Sequence, residues 1–395
     1  MNRQEIVVPT TVTDRIIQDT VIVFISALLL IRLDPGFSFD GIDEASKPVM
    51  KAARAKIEEI RKGDFTVRFV DAKGIPVRGS GEISLLRHEF QFGANLCPVT
   101  RLPENHPARR VALTVIDELF SLVRVGHFWS VEEPVQGGGL SWDRTDRDLE
   151  WAQVHGKDTR YHCVIYNMDY ALPAWYGDIK TTGKWWGLIE KRIRDVAARY
   201  GEVIPEYDLI NEMVLNRKWG EKHNPVFPSL SDPVNAARIF KTADRYLPDA
   251  KLVMLESHLC TLSNPHYQNI YRYYKKGIDL GAPVDVLGFQ GHFYGAGQMP
   301  ISQGHPRAGP GAFTMKVISD CLDHLATLGG PIQITEYNPP SRMKKKKGPQ
   351  PFLSDEEIAA WTINYYTLVF SKPYIHQLTR WFVIDGMGGN AVDGG

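Results

Sequence analysis

The 395-residue chain lacks the features that mark several broad classes of protein. It has no excess charge, because 46 Lys and Arg residues balance 46 Asp and Glu residues, so nothing attracts nucleic acid or an anionic membrane globally. Its four cysteines lie far apart and form no CxxC pair, which excludes a disulfide scaffold and a spaced zinc site. No repeat of about 20–50 residues is visible, which argues against solenoids and propellers. These absences predict a globular protein without a metal or a nucleic-acid partner.

Long apolar runs are also scarce, and one run of 11 residues lies near the amino terminus. Val21–Ile31 is broken only by Ser26 and is shorter than the roughly 20 residues that a membrane-spanning helix needs. Its length suits the centre of a secretory signal, although acidic residues precede it and no A-x-A site follows. A buried strand is the alternative interpretation. Residues 1–45 therefore form a segment whose role is open, and a signal there predicts a secreted or cell-envelope protein.

The rest of the chain predicts a lead-in over residues 46–85 and a barrel domain over 86–395. In the lead-in, a helical pattern begins at Lys47-Pro48 and stops at Gly63, and two strand-like runs follow at Phe65–Val70 and Glu82–Phe92. After the lead-in, short apolar runs alternate with helical patterns such as Lys184–Tyr200 and Ala236–Tyr246. The eight strand candidates are Phe90–Cys97, Leu122–Trp129, Thr159–Tyr166, Glu206–Ile210, Leu252–Leu255, Val284–Phe289, Ile332–Thr335 and Leu378–Ile384.

Eight strand–helix units predict an α/β fold of the (β/α)8 barrel type. An open, doubly wound sheet is the alternative, because periodicity does not distinguish a closed sheet from an open one. The sequence stops ten residues after Asp385, which predicts a barrel without its eighth helix. The outer faces of the first and last strands would then need a cover, and we expect the segment containing Val21–Ile31, or a second chain, to pack there.

Two glutamates follow strand candidates at the end of a barrel where active sites lie. Glu212 follows the fourth strand and Glu336 follows the seventh. A pair of carboxyl groups across a cleft is what glycoside hydrolysis requires, since one protonates the leaving oxygen and the other attacks or activates water. Polar and aromatic residues at other strand ends strengthen this interpretation, namely Asn211, His162, His292 and Trp381.

Several motifs in this order resemble glycoside hydrolase family 10, the barrel endo-xylanases. YDLINE at 207–212 resembles the family's WDVVNE, GFQGHF at 288–293 resembles GLQxHF, and QITEYN at 333–338 resembles ITELDI. RYHCVIYNMDYALPAW at 160–175 resembles RGHTLVWHxQxPxW, and TRWFVID at 379–385 resembles WGxxD. The resemblance extends over about residues 46–385.

The resemblance implies a retaining endo-β-glycosidase that needs no cofactor. It implies that Glu336 is the nucleophile and Glu212 the acid/base. It also implies a set of substrate-binding residues: Asn211, His162, His292, Trp381, Tyr166 and Gln290. The expected partner is a plant-type polysaccharide, with xylan as the default, and no dedicated protein partner is expected.

Three departures from the family pattern concern the part of the cleft that grips the sugar. The family's ENxMKW is replaced by the segment 124–129, which keeps none of its Glu, Asn and Lys residues. The family's Trp-His pair is replaced by Tyr166-Asn167, and its NDY motif by Glu256-Ser257-His258. A pocket with different polar groups selects a different substrate. A glycosidase of another β-glycan and a non-catalytic carbohydrate-binding barrel are therefore the alternatives.

Overall fold

The computed structural model describes residues 4–9, 42–82, 85, 87–214, 229–257, 262–293, 314–339 and 355–384. The lead-in consists of strand β1 (Gln4–Pro9), helix α1 (Lys47–Ile60) and strand β2 (Phe65–Val70), and β1 pairs in parallel with β2. Proline in the first turn suits the start of α1, because that turn leaves its backbone N–H groups unpaired in any case.

The remaining strands of the described part close into a barrel in which all pairs are parallel. In chain order they are β3 (Gln91–Asn95), β4 (Leu122–Val125), β5 (Asp158–Tyr166), β6 (Glu206–Asn211), β7 (Lys251–Glu256), β8 (Val286–Phe289), β9 (Ile332–Tyr337) and β10 (Ile375–Arg380). Each pairs with its successor, and β10 pairs with β3. This closure confirms the (β/α)8 fold and shows that the doubly wound alternative is wrong, since an open sheet has two edge strands.

Helices on the outside of the barrel connect the strands. They are α2 (Cys97–Thr100), α3 (Pro107–Leu119), α4 (Trp129–Glu132), α5 (Asp143–Val154), α6 (Thr182–Tyr200), α7 (Pro233–Tyr246), α8 (Pro265–Asp279), α9 (Met315–Ala326) and α10 (Asp355–Phe370), with a 3-10 turn at Ala174–Asp178. The predicted helices lie within α6 and α7. In α6, Ile189, Ile193 and Val196 are buried at helical spacing, so one face packs on the barrel.

Three strand predictions are wrong in position. The second barrel strand, expected at Leu122–Trp129, ends at Val125, and Trp129 instead begins α4. Among its described residues, the run Glu82–Phe92 contributes a strand only from Gln91 onward, because the Phe90 N–H donates to Nδ1 of His88 in a local turn instead of a sheet ladder. The eighth strand ends at Arg380 rather than at Ile384.

α1 is fixed to the barrel through the carboxyl end of α10. Its buried face comprises Met50, Ala53 and Ile57. Arg61, directly after the helix, donates to the carbonyl oxygens of Phe370, Lys372 and Ile375 at 2.9–3.0 Å. These oxygens belong to the end of a helix and the start of β10, where carbonyl groups lack partners within the helix. The lead-in thereby stabilises the junction that leads into the last strand.

The expectations about both ends of the chain concern residues outside the described part. Val21–Ile31 and the residues from Asp385 onward are among them, so the cover of the barrel and the missing eighth helix stay predictions. The secreted or cell-envelope location stays a prediction for the same reason. Within the described residues, no helix combines the length and the apolar character that a membrane span requires.

Candidate active site

Glu212 and Glu336 both reach the mouth of the barrel, from the ends of β6 and β9. Glu212 directly follows β6 and has a φ of 54°, a backbone conformation that residues other than glycine rarely adopt. Its N–H donates to the Leu255 carbonyl of β7 at 3.0 Å, which holds this turn. Glu336 lies within β9, is 3% exposed, and its N–H donates to the Gln290 carbonyl at 2.8 Å.

A single amide bridges the two carboxyl groups. Nε2 of Gln290 lies 2.5 Å from Oε1 of Glu212 and 3.4 Å from Oε1 of Glu336. The two Oε1 atoms therefore lie no more than about 5.9 Å apart, the distance reached if all three atoms were in line. The same Nε2 lies 3.3 Å from Oδ1 of Asn211, which is buried beside Glu212. Gln290 thus brings three of the predicted residues together.

His292 contacts the second oxygen of Glu336. Its Nε2 lies 2.9 Å from Oε2 of Glu336, and its Nδ1 lies 3.0 Å from Nδ2 of Asn338. Burial lowers the pKa of His292 to about 4, and the nearby Glu212 opposes this decrease. The imidazole is therefore neutral around pH 7 and offers Glu336 a hydrogen bond rather than a full positive charge.

His162 approaches Glu336 from the opposite side of the barrel mouth. Its Nδ1 lies 2.8 Å from Oδ2 of Asp208, its register partner on β6, and its Nε2 lies 3.7 Å from Oε1 of Glu336. Asp208 also accepts a bond of 2.5 Å from Arg160, and both are fully buried. The carboxylate of Asp208 orients the imidazole, and burial lowers the pKa of His162, so this ring is neutral as well.

Trp381 lies at the exit of β10 and packs against both histidines. Its ring centroid lies 5.2 Å from that of His162 and 6.2 Å from that of His292, and both contacts are edge-to-face. The guanidinium of Arg124 lies 5.4 Å from the indole centroid. The backbone N–H of Trp381 donates to the Tyr337 carbonyl at 2.9 Å, which places the residue beside β9 and the nucleophile candidate.

Tyr166 holds the second oxygen of Glu212. Its hydroxyl donates to Oε2 of Glu212 at 2.7 Å and accepts a bond of 3.1 Å from the hydroxyl of Tyr170. The Phe128 ring packs on both tyrosines, with centroid distances of 5.9 and 5.5 Å. Each oxygen of Glu212 therefore has a defined donor, Gln290 for Oε1 and Tyr166 for Oε2.

Burial raises the pKa of both glutamates, and their other neighbours shift the two pKa values differently. For Glu212, burial is the largest cause, the hydrogen bond from Tyr166 opposes it, and the negative charge of Glu336 raises the pKa further. For Glu336, burial is again the largest cause and the negative charge of Asp208 also raises the pKa, while His162 and the guanidinium groups of Arg160 and Arg124 oppose the increase. The arrangement favours a proton on Glu212 and a negative charge on Glu336.

Sequence reasoning missed four residues that support this site. Asp208 orients His162, Asn338 contacts His292, Tyr170 donates to Tyr166, and Arg124 packs on the Trp381 ring. Asp208 and Asn338 could have been found from the alternation along a strand. Asn338 lies two residues after Glu336, and Asp208 is a charged residue inside an apolar strand.

Cys97, His127 and Asp148 form a buried group whose potential ligand atoms lie within 4.8 Å of one another. Arg101 lies 2.7 Å from Nδ1 of His127. A guanidinium only donates, so Nδ1 accepts and the ring proton sits on Nε2, which faces Oδ2 of Asp148 at 3.3 Å. Burial also raises the pKa of Cys97 to about 12. The histidine has no lone pair left for a metal and the thiol stays protonated, so the group fits a hydrogen-bonded cluster rather than a metal site.

Glu256 begins the segment that replaces the family's NDY motif, and its side chain holds the backbone that follows Glu212. It is fully buried, and its Oε1 accepts the Val214 N–H at 2.6 Å. The carboxylate therefore fixes the backbone two residues beyond Glu212. His258 and Asp385, which the sequence comparison also singled out, lie outside the described residues.

Comparisons with known proteins point to one family. The family model described as glycosyl hydrolase family 10 matches residues 127–388. Endo-1,4-beta-xylanase 2 of Arabidopsis thaliana is 27% identical over 259 residues, which cover 64% of this chain and 20% of that protein. Endo-1,4-beta-xylanase 3 of Hypocrea jecorina is 29% identical over 160 residues, covering 40% of this chain and 45% of that protein. The chain thus matches less than half the length of these two relatives.

Solved structures show the same fold. Xylanase 10B from Thermotoga petrophila, solved in complex with xylobiose, aligns with a TM-score of 0.58 and 16% sequence identity. The alignment covers 74% of this chain and 82% of that chain. The family model matches well more than half of the sequence, and the fold agrees with it. The chain therefore belongs to glycosyl hydrolase family 10.

Proposed function

We propose that this protein is a retaining endo-β-glycosidase that hydrolyses a plant-type polysaccharide, with Glu336 as nucleophile and Glu212 as acid/base. The observation that carries the proposal is the Gln290 bridge, which limits the separation of the two Oε1 atoms to about 5.9 Å. Retaining enzymes have carboxyl groups about 5–5.5 Å apart, whereas inverting enzymes need about 6.5–9.5 Å to admit a water molecule. The short separation supports a double displacement.

In the first step, the ionised Glu336 attacks the anomeric carbon of the sugar. The bond from that carbon to the glycosidic oxygen breaks, and Glu212 gives its proton to the departing oxygen. The product is a glycosyl ester on Glu336 and a free chain end. Hydrogen bonds to Glu336 from His292 and Gln290 keep the carboxylate in position for the attack.

In the second step, Glu212 acts as a base. It takes a proton from water, the water oxygen attacks the anomeric carbon, and the ester bond to Glu336 breaks. Glu212 ends protonated and Glu336 ends ionised, so the cycle closes. The donors on the two oxygens of Glu212, Gln290 and Tyr166, stabilise its charged form during this step.

The other predicted residues surround the position of the reacting sugar. We assign Asn211 to the 2-hydroxyl, and His162 and Trp381 to the walls of the subsite at the scissile bond. Tyr166 and Gln290 border the same position through their contacts with Glu212. Xylan is the default substrate because the relatives named above are xylanases.

A second candidate is a glycosidase of a different β-glycan. The observation in its favour is the end of β4, where Phe128 packs on Tyr166 and Tyr170 instead of presenting a polar group. Val125 and His127 of the same segment are buried. A sugar bound there meets an aromatic wall, which selects for different hydroxyl positions than a Lys and an Asn do.

The test is release of reducing ends from a panel of polysaccharides that includes xylan, together with an activated aryl glycoside. We expect Glu336→Ala to lose activity on every substrate, because no covalent intermediate forms. Glu212→Ala should lose activity on polysaccharides but retain a burst of aryl release, since an activated leaving group needs no proton. Glu150→Ala, on the exposed face of α5, is the matched control and should behave as the wild type.

Each outcome decides between the candidates. Activity on xylan supports the first, and activity only on another β-glycan supports the second. A wild-type protein that binds glycans but cleaves none would indicate the non-catalytic barrel. Equal loss on aryl and natural substrates in both variants, without a burst, would contradict the assignment of Glu212.

A further inference from the structure

A row of three hydrogen bonds leads from the backbone at the end of β10 to the nucleophile candidate. The Phe382 N–H donates to Oδ1 of Asn338 at 3.2 Å. Nδ2 of Asn338 lies 3.0 Å from Nδ1 of His292, and Nε2 of His292 lies 2.9 Å from Oε2 of Glu336. The row connects the segments that directly follow β10, β9 and β8, and it contains one side chain that the sequence comparison does not explain, Asn338.

The first bond in the row determines the direction of the others. A backbone N–H only donates, so the atom of Asn338 that faces Phe382 must be the oxygen, and the nitrogen must face His292. An amide nitrogen also only donates, so Nδ1 of His292 must accept. The single proton of the neutral imidazole then lies on Nε2 and points to Oε2 of Glu336.

The groups around His292 agree with a neutral ring. The carboxyl groups that face it are Glu336 from β9 and Glu212 from the end of β6. Trp381 covers it from the end of β10, and His162 lies on the far side of Glu336. The ring is largely withdrawn from water, which disfavours its charged form.

We propose that Asn338 is a positioning residue that keeps His292 in the neutral Nε2–H form, so that the nucleophile is hydrogen-bonded rather than ion-paired. This inference rests on the proposed role of Glu336. The ITELDI motif has an aspartate at this position. A carboxylate cannot donate to Nδ1, so it would accept a hydrogen bond from a protonated Nδ1 and leave the ring either charged or with the lone pair of Nε2 facing Glu336. The amide therefore distinguishes this site from one with a histidine cation beside the nucleophile.

The direct test is the protonation state of the histidine ring nitrogens by NMR of 15N-histidine-labelled protein at pH 7. The signals of His292 are assigned by their loss in His292→Gln. We expect Nε2 to carry a proton and Nδ1 to carry none. A protonated Nδ1 in the wild type, whether alone or together with Nε2, would overturn the proposal, and this result does not depend on whether any glycan is cleaved.

The second arm uses Asn338→Asp, which changes a donor to an anion without changing size. We expect the pH at which His292 titrates to rise by roughly 1–3 pH units, because an adjacent carboxylate stabilises the charged ring. The acid limb of the pH–rate profile should move to lower pH, since a histidine cation stabilises the Glu336 carboxylate, and kcat should fall about tenfold or more because that carboxylate is a weaker nucleophile.

Asn269→Asp, an exposed residue on α8, is the matched control and should change neither the titration nor the profile. An unchanged titration of His292 in folded Asn338→Asp would contradict the proposal. If the wild type shows the expected tautomer but cleaves no glycan, the proposed function fails while the assignment of Asn338 as the residue that sets the tautomer stands.

Discussion

At the scale of single residues, the two glutamates differ through the donors that hold them. Glu336 receives a hydrogen bond from a neutral imidazole and lies near buried guanidinium groups, which favour its charged form. Glu212 lies beside that negative charge and is held by Gln290 and Tyr166. The phenol of Tyr166 occupies the place of a tryptophan in the family motif, so the donor to Glu212 in this chain is a hydroxyl group rather than an indole N–H.

Tyr166→Phe tests that donor. The tyrosine hydroxyl stabilises the charged form of Glu212, so its removal should raise the pKa of Glu212 still further. We expect the alkaline limb of the pH–rate profile to move up by about one pH unit, as loss of a hydrogen bond worth about 1.4 kcal/mol predicts.

Tyr170→Phe should move the same limb in the same direction by a smaller amount, because Tyr170 donates to Tyr166 and makes it a better donor. Tyr271→Phe on α8 is the control. A limb that stays in place in Tyr166→Phe, or moves to lower pH, would show that the hydroxyl does not act on Glu212.

At the scale of elements, the lead-in helix and the last barrel strand depend on each other. Arg61 joins the end of α1 to three carbonyl oxygens at the junction of α10 and β10, and its guanidinium lies 5.2 and 5.1 Å from the ring centroids of Phe90 and Phe370. Trp381 directly follows β10. The Arg61 contact therefore supports the position of Trp381 in the site as well as the stability of the fold.

Arg61→Ala should lower the free energy of unfolding by about 2–4 kcal/mol, from three partly buried hydrogen bonds of about 0.5–1 kcal/mol each and a cation–π contribution of about 0.5–1 kcal/mol. Arg61→Lys should recover only part of this, because an ammonium cannot reproduce the planar fork of donors. Chemical denaturation measures both. Arg54→Ala, on the exposed face of α1, is the control, and an equal loss in both alanine variants would exclude a specific role for Arg61.

At the scale of the whole molecule, buried carboxyl groups lower the stability of the folded state when they ionise. Burial raises the pKa of Glu212 and Glu336, and of Glu206 at the start of β6, above the value of about 4.5 in an unfolded chain. The folded state therefore holds these protons to higher pH than the unfolded state does. Stability falls as the pH rises through this window and stays lower above it, because the folded protein must then bury ionised carboxylates.

Glu336→Gln should accordingly be more stable than the wild type at pH 7.5, with a melting temperature higher by roughly 1–3 °C. At pH 4, where Glu336 is protonated in both states, the difference should vanish. Thermal unfolding at the two pH values measures this, with the exposed Glu150→Gln as control. A variant that is less stable than the wild type at pH 7.5 would mean that the charge of Glu336 stabilises the fold.

The sequence by itself determined the number of barrel strands and the position of the two glutamates. Both follow from local patterns, since apolar runs alternate with helical faces and a residue just past a barrel strand faces the site. Glu212 directly follows β6, whereas Glu336 lies one residue before the end of β9, and both were placed at the barrel mouth without any knowledge of their neighbours. The exact bounds of the strands did not follow from these patterns. At Glu82–Phe92 the structure has a turn at His88 before the strand begins, and the apolar pattern does not reveal that turn.

Only the tertiary structure decided which donors meet which acceptors. Tyr166 and Glu212 are 46 residues apart, as are His292 and Asn338, and each pair meets because the barrel brings different strand ends to one mouth. The direction of a hydrogen bond depends on every group in the row, as Phe382, Asn338 and His292 show, and no local pattern encodes it. The fold class thus follows from the periodic pattern of apolar residues along the sequence, whereas the protonation of the site depends on contacts between residues far apart in the sequence.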